Sequence, residues 1–205
     1  FDNILVFHDK FKNHILPDKV HILNVAFLVP TMRREFGGTA GNIAYNLKAI
    51  GGHPLPMGTV GRDFGPYIEW LDRHGIPRQY IKTVDEHFTA QAFITTDEDD
   101  NQITAFHPGA MGEAHSQRVD DVSESIAWGI VSPDGKQAMV EHAAQFRAKG
   151  IPFIFDPGQG LPMFDGEELL TLVDQANILA VNDYEWQLVQ DKTGHSPQDL
   201  VQRLD

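Results

Sequence analysis

The stretch IAWGIVSPDGKQAMVEHAAQFRAKGIPFIFD, residues 126–156, decides the fold class. Two short apolar runs, IAWGIV and IPFIFD, are typical of buried strands, and between them Met139 and Phe146 stand two helical turns apart. Asp134 can cap the start of this helix and Gly150 its end. Two buried strands joined by a helix form the unit from which parallel sheets are built.

The same alternation continues on both sides of this unit. HPLPMGTVG with DFGPYIEWLDRHG precedes it, and GEELLTLVDQA, NILAVN and DYEWQLVQDKTG follow it. Two other stretches, within about 11–36 and 87–108, predict antiparallel strands, the second a hairpin that turns at TDEDDN. We therefore expect an α/β fold, a three-layer, mostly parallel sheet with helices on both faces, plus a small antiparallel sheet. That small sheet is either a lid over a cleft or a dimer-forming decoration.

Composition excludes several classes of protein. The chain has 205 residues, a net charge of -13 and no Lys/Arg cluster, so we expect no nucleic-acid partner. It has no cysteine, which excludes disulfides and Cys-ligated zinc. No apolar run approaches about 18 residues, so we expect no membrane partner and a cytoplasmic location. Because the chain starts inside a strand pattern and stops inside a helical one, we expect it to be part of a longer polypeptide.

Glycines crowd the start of one predicted helix, in EFGGTAGNIAYNLKAIGG at residues 35–52. Gly37 and Gly38 lack a Cβ, so a ligand can approach the backbone there, and the following helix offers free N–H groups. Asn42 adds a side chain that can both donate and accept. The alternative is that these glycines only let the helix pack closely on the sheet.

Polar side chains follow the predicted strands at one sheet edge. Asn182 and Glu185 form an N-x-x-E spacing at a helix start, and the carboxyl edge of an open α/β sheet is where ligands bind. A carboxylate there suits Mg²⁺, which keeps much of its water shell. The alternative is a helix cap made by the same two residues. DPGQG, from Asp156 to Gly160, also follows a strand and either lines the same edge or is a plain turn. Asp2 opens an apolar strand, where it either binds paired hydroxyls or is an ordinary strand-end residue.

Four familiar signatures are missing from the sequence: the P-loop, the dinucleotide-binding G-x-G-x-x-G, the G-x-S-x-G elbow and H-E-x-x-H. Their absence disfavours a P-loop nucleotidase, a standard dinucleotide oxidoreductase, a serine hydrolase and a zincin.

Taken together, GGTAGN before a helix, TVGRDFGPYIEWLDRHGI, the hairpin ending in HPGAM, DPG after a strand, and NDYE resemble the ribokinase-like (PfkB) family of carbohydrate and nucleoside kinases. GNIAYNL resembles adenosine- or nucleoside-kinase-like members more than ribokinase itself. The resemblance implies that the family's paired glycines hold the sugar rather than ATP phosphates. The residues implied to contact ribose hydroxyls are Asp2, Gly37, Gly38 and Asn42.

The resemblance also implies that Asn182 supports the ATP phosphates and Glu185 the Mg²⁺, largely through water. One family signature is missing: no Gly-Ala-Gly-Asp run, which supplies the catalytic Asp and an anion hole, occurs in the chain. We expect that Asp to lie beyond the end of this chain, together with most of the nucleotide-base site. The 205 residues are then a partial kinase domain lacking its C-terminal third.

The implied activity is ATP-dependent phosphorylation of the 5′-hydroxyl of a ribose-bearing substrate, with adenosine as the leading candidate and a free sugar as the alternative. Aromatic lid residues facing the cleft favour a nucleobase; the candidates are Phe27, Phe93 and Phe106. Two other classes stay open, a non-catalytic nucleoside or sugar sensor and a scaffold. A homodimer formed through the lid is also open.

Overall fold

The structure is a computed structural model that describes residues 1–204. Its strands are β1 Asp2–Val6, β2 Thr31–Glu35, β3 Gly58–Gly61, β4 Ile81–Val84, β5 Gln91–Thr96, β6 Gln102–His107, β7 Gly129–Val131, β8 Phe153–Phe155 and β9 Ile178–Leu179. Its α-helices are α1 Thr39–Ala49, α2 Gly65–Arg73, α3 Lys136–Ala148, α4 Gly166–Gln175, α5 Asp183–Thr193 and α6 Pro197–Arg203. Within residues 1–204, none of the helices has the length and apolar character needed to cross a bilayer.

Parallel strands joined by helices form the main part of the molecule, which confirms the predicted α/β class. β3 pairs with β4, and β7, β8 and β9 pair in that order, all in parallel. Helices α2, α3 and α4 are the crossovers between successive strands. Phe153 and Phe155 of β8 are fully buried beneath α3 and α4, so the central strand of the larger group carries the core.

An apolar cavity of about 590 Å³ separates the two groups of parallel strands. It is lined by Ile43 and Leu47 of α1, by Met57 before β3 and by the strand β7. β7 and the residue before β3 border this space, and the predicted mostly parallel sheet is divided into a pair and a triplet of strands.

The small sheet has four strands in the order β2-β1-β5-β6. The hairpin of β5 and β6 is antiparallel and so is the β1–β2 pair, but β1 runs parallel to β5. The predicted strand content of 11–36 is wrong over most of that range. β2 is the only strand there, and residues Phe11–Asn13 and Pro17–Ile22 form 3₁₀ turns, the second with Pro17 in its first position.

Helix ends follow local rules with one exception. α6 begins at Ser196 with Pro197 in its first turn, and α5 ends at Gly194 in the left-handed conformation (φ 70°), as predicted. Asp134 does not cap α3, because the N-cap is Gly135 and the Asp134 carboxylate accepts the Gly135 N–H at 2.7 Å instead. A cap must reach the second or third helical N–H, which lies too far along the chain for Asp134.

A second core lies where the small sheet meets α1 and α2, and it is largely aromatic. Tyr67 of α2 is its centre, with ring centroids 4.9 Å from Phe36, 5.0 Å from Phe64 and 5.8 Å from Phe1. Because Phe1 adjoins Asp2 and Phe36 adjoins Gly37, this cluster positions both predicted sugar-binding segments.

Candidate active site

Asp2 and the glycine loop, two of the predicted sugar-binding elements, are in contact. Asp2 is the first residue of β1, half-buried, and a Cβ built on Gly37 would overlap its carboxylate. Gly37 therefore lacks a side chain for a steric reason: the carboxylate fills the space that any larger residue would need. This contact joins segments 35 residues apart in sequence.

The start of α1 is shaped by Gly38, its N-cap residue, which has φ 94°. An L-residue with a side chain rarely adopts that conformation, so glycine is required there. Asn42 follows in the first turn of α1, with an exposed side chain and its backbone N–H bonded to the Gly38 carbonyl at 3.1 Å. The structure thus gathers Asp2, Gly37, Gly38 and Asn42 around one helix N-terminus.

Tyr67 lies at the same helix start, although no local pattern in the sequence marks it as part of the site. Its hydroxyl donates to the Gly37 carbonyl at 3.1 Å, and a Cβ on Gly41 would overlap that hydroxyl. Burial, followed by the charge of Asp2, raises the pKa of Tyr67 to about 12. The hydroxyl therefore stays protonated, and remains a donor, throughout the physiological pH range.

A polar chain whose two central side chains, Asn3 and Gln91, are buried connects the small sheet to the loop after β3. Asp63 in GRDFG accepts the Thr89 N–H at 2.7 Å and the Gln91 side-chain amide at 3.0 Å. Gln91 in turn accepts from Asn3 at 3.2 Å, and Asn3 accepts from Arg34 Nε at 3.0 Å. The chain therefore crosses β5, β1 and β2, with an anion at one end and a cation at the other.

Asn182 and Glu185 lie at the carboxyl edge of the larger strand group, where the sequence predicts them. They form a reciprocal capping box on α5: Asn182 Oδ1 accepts the Glu185 N–H and Glu185 Oε2 accepts the Asn182 N–H, both at 2.9 Å. The capping alternative is thus present in the structure, and it uses one of the two Glu185 carboxylate oxygens.

Asp156 lies at the same edge, directly after β8. Burial and the nearby charge of Glu185 both raise its pKa, and the Gly158 N–H partly opposes them. The two carboxylates are therefore close enough to repel each other.

A hydroxyl pair links this edge to the glycine loop. Ser132, which follows β7, donates to the Thr39 hydroxyl at the start of α1 at 3.1 Å. The start of α1 and the carboxyl edge of the larger strand group therefore meet at this hydrogen bond.

The three aromatic residues proposed to face a nucleobase lie in different places in the structure. Phe106 is the direct cross-strand partner of Ala92, which is itself the partner of Asp2, so all three side chains share one face of the small sheet. Phe93 alternates to the opposite face, and Phe27 packs against Phe7 and Phe11 at 4.9 Å. Phe106, which is 56% exposed, is therefore the candidate on the same face as Asp2.

The buried carboxyl group of Asp134, which follows β7, is expected to make the stability of the protein depend on pH. Burial raises its pKa to about 6, partly opposed by the Gly135 N–H. A raised pKa means that its stabilising contribution is complete below the ordinary value near 4 and is lost as the pH rises past about 6. We expect Asp134→Asn to raise the unfolding free energy by about 1–3 kcal/mol at pH 7.5 and to change it little at pH 4.

Thermal melting at both pH values measures this effect, with Asp85→Asn in an exposed turn as the matched control. An equal gain at both pH values, or no gain at pH 7.5, would contradict the assignment of a buried, destabilised carboxylate.

Known proteins of similar sequence and structure agree with this fold. The family model described as pfkB family carbohydrate kinase matches residues 5–205. The chain belongs to the pfkB family. The nucleoside kinase of Burkholderia thailandensis in complex with inosine is 50% identical, with a TM-score of 0.88 over 99% of this chain and 64% of that one. A second structure of that enzyme, in complex with ADP-inosine, is 52% identical over 99% of this chain and 64% of that one, with a TM-score of 0.84.

Among the curated relatives of this pfkB-family chain, the nucleoside kinase of Methanocaldococcus jannaschii is 27% identical over 184 residues. That match covers 89% of this chain and 60% of the relative, so the chain spans about three fifths of the relative's length. Membership of the pfkB family confirms the resemblance and the α/β architecture with its additional small sheet.

Proposed function

We propose that the protein carrying this chain is an ATP-dependent nucleoside kinase that phosphorylates the 5′-hydroxyl of a ribose. The observation that carries the proposal is the contact between the Asp2 carboxylate and Gly37 at the start of α1. A carboxylate accepts two hydroxyl protons at once, and a vicinal diol presents two. Asn42, one turn along α1, offers a further polar contact.

A nucleoside rather than a bare sugar is supported by the face that Asp2 shares with Phe106. Phe106 lies two strands from Asp2 on that face, so its ring can pack against a base while the carboxylate binds the diol, as aromatic rings stack on bases in nucleic-acid recognition. The likeness to nucleoside kinases, including one described in complex with inosine, supports the same choice. Adenosine and inosine are the two purine nucleosides that we propose to test first.

The proposed reaction forms a bond between the 5′-oxygen and the γ-phosphorus and breaks the bond from that phosphorus to the β-phosphate, releasing ADP. In the resembling enzymes an Asp of a Gly-Ala-Gly-Asp run takes the hydroxyl proton, and this chain contains no such run. The residues present here therefore bind and orient the acceptor, while the small sheet covers the cleft and excludes water as a competing acceptor.

Mg²⁺ fits the carboxyl edge as a water-ligated ion. Among residues 1–204, no group of three or more acidic or histidine side chains is arranged to hold a metal directly. Glu185 keeps one carboxylate oxygen outside its capping box, and its repulsion with Asp156 marks an excess of negative charge. We propose that Glu185 holds the ion through water and that Asn182 lies beside the phosphates. Mg²⁺ bound there would neutralise the charge that develops on the transferred phosphoryl group.

The experiment is phosphate transfer by the whole protein with Mg-ATP to adenosine, inosine, a pyrimidine nucleoside, ribose and fructose, measured as ADP release and as phosphorylated product. We expect transfer to a purine nucleoside at the 5′-position, with little to either free sugar.

The pattern of acceptors decides between the alternatives. Transfer only to ribose or fructose would support the kinase activity but overturn the proposal that the acceptor is a nucleoside. Calorimetric binding of a nucleoside without transfer would replace the kinase with a sensor.

A further inference from the structure

The hydroxyl of Tyr67 lies where three parts of the candidate site meet. It donates to the carbonyl of Gly37 at 3.1 Å. A Cβ on Gly41, in the first turn of α1, would overlap the same hydroxyl. On the other side of the loop, a Cβ on Gly37 would overlap the Asp2 carboxylate. The loop is therefore held between a fixed donor and a fixed carboxylate.

We propose that Tyr67 is a positioning residue for the nucleoside: its hydroxyl holds the Gly37–Gly38 peptide in the orientation that receives the ribose. This inference rests on the proposed function. Tyr67 does not contact the ribose itself and acts through the backbone of the glycine loop.

The planarity of the peptide gives the physical reason. In a trans peptide the C=O of one residue and the N–H of the next point in opposite directions. Because the Gly37 carbonyl is turned toward the Tyr67 hydroxyl, the Gly38 N–H points away from the aromatic cluster. There it is free to donate to a ribose hydroxyl, which can accept from it while donating to Asp2. Gly38, at φ 94°, would be free to rotate this peptide if the carbonyl were released.

Close packing around the ring of Tyr67 holds its hydroxyl in place. Its side chain is 4% exposed, and Phe36, Phe64 and Phe1 surround the ring with centroid distances of 4.9 to 5.8 Å. Its raised pKa keeps the proton on the hydroxyl, so the bond to Gly37 persists at every pH at which the enzyme would work.

The test compares Tyr67→Phe with Tyr45→Phe in the whole protein. Both variants lose one hydroxyl, but Tyr45 lies on the partly exposed side of α1, where its ring contacts Trp70 and His74. We expect Tyr67→Phe to raise KM for the nucleoside by about five- to thirty-fold, since one hydrogen bond is lost and its carbonyl is left unsatisfied. We expect KM for ATP to be unchanged, and Tyr45→Phe to match the wild type in both.

Gly41→Ala supplies an independent test of the same contact. The added methyl group would displace the Tyr67 hydroxyl, so we expect KM for the nucleoside to rise again. In the double variant the overlapping hydroxyl is gone and the nearest ring atom, Cζ, lies 3.1 Å from the added methyl group, so most of the clash is relieved. We therefore expect Gly41→Ala/Tyr67→Phe to have a KM well below the product of the two single effects.

The outcomes separate this inference from the proposed function. Nucleoside transfer by the wild type, with KM for the nucleoside unchanged in Tyr67→Phe, would overturn the positioning role alone. Equal losses for nucleoside and ATP, tracking a lower melting temperature, would also overturn it, because a merely structural tyrosine would behave so. Independent, multiplicative effects of the two substitutions would overturn it even if Tyr67→Phe folded poorly. No nucleoside transfer by the wild type would overturn both proposals.

Discussion

Replacing Asp2 by alanine is expected to lower kcat/KM for the nucleoside by about a hundred- to ten-thousand-fold. The carboxylate is proposed to accept two hydroxyl protons from the ribose, and hydrogen bonds to a charged group contribute about 1.5–3 kcal/mol each. Steady-state phosphate transfer measures the loss, with KM for ATP as the internal reference. A variant that keeps the wild-type KM for the nucleoside would show that Asp2 does not hold the ribose.

Gly37→Ala tests the role of the Asp2 carboxylate by displacing it instead of removing it. The methyl group would occupy the space that the Asp2 carboxylate fills, so the carboxylate must move although its chemistry is unchanged. We expect a smaller loss than for Asp2→Ala, and little additional loss when the two substitutions are combined, because both act through one group. The matched control is Gly58→Ala in β3, where a Cβ has no neighbour within 4 Å among the residues described.

Replacing Asp63 by asparagine is expected to lower the unfolding free energy by about 1–3 kcal/mol at pH 7. The substitution keeps the shape and turns one acceptor into a donor that faces the Gln91 amide or the two Thr89 donors. Rotating Gln91 and then Asn3 to compensate would leave an amide donor facing Arg34 Nε at the end of the chain. No arrangement of the three amides satisfies every group.

The pH dependence of this effect has a defined sign. Burial is the largest single influence and acts to raise the pKa of Asp63, but the hydrogen bonds it accepts, led by those from Thr89, and the charge of Arg34 together lower the pKa overall. The stabilisation is therefore fully present above the ordinary value near 4 and is lost as the pH falls through the lowered one. We expect the difference in unfolding free energy between the wild type and Asp63→Asn to become smaller when denaturant titrations are repeated at acidic pH.

Asp72→Asn is the control for this prediction. Asp72 pairs with Arg78 at 2.9 Å, and both side chains are about half exposed, so its removal should cost less than about 1 kcal/mol. Equal destabilisation by the two substitutions would show that the polar chain from Asp63 to Arg34 contributes no more to stability than an exposed ion pair does. Hydrogen exchange offers a second readout, because loss of this chain should lower the protection of β5 and β1 relative to the α/β core.

Local sequence signals determined the elements of the α/β part. Apolar runs with helical spacing between them predicted β7, α3 and β8, and the glycine and serine–proline signals placed the end of α5 and the start of α6. These features depend on residues within one or two turns of each other, so a single stretch contains the information. The same reasoning failed over most of 11–36, where strands were predicted but residues Phe11–Asn13 and Pro17–Ile22 form 3₁₀ turns and only β2 is a strand.

Motif resemblance located the candidate site without explaining its geometry. It named Asp2, Gly37 and Gly38 as neighbours of one ligand, and the structure places them together. It also assigned Asn182 and Glu185, whose capping box is as visible in the sequence as their proposed ligand role. Which face of the small sheet carries Phe106 could not be deduced, because that depends on strand register.

By itself, then, the sequence determined the fold class, the family and most of the residues proposed to meet the substrate. Tertiary structure alone decided why three glycines are needed: Gly37 for the Asp2 carboxylate, Gly38 for its positive φ, and Gly41 for the Tyr67 hydroxyl. Tyr67 stands 30 residues from Gly37 in sequence, and no local pattern marks it as a neighbour. The physical reason is that steric fit and hydrogen bonding act between atoms close in space, whereas periodicity and capping act between residues close in the chain.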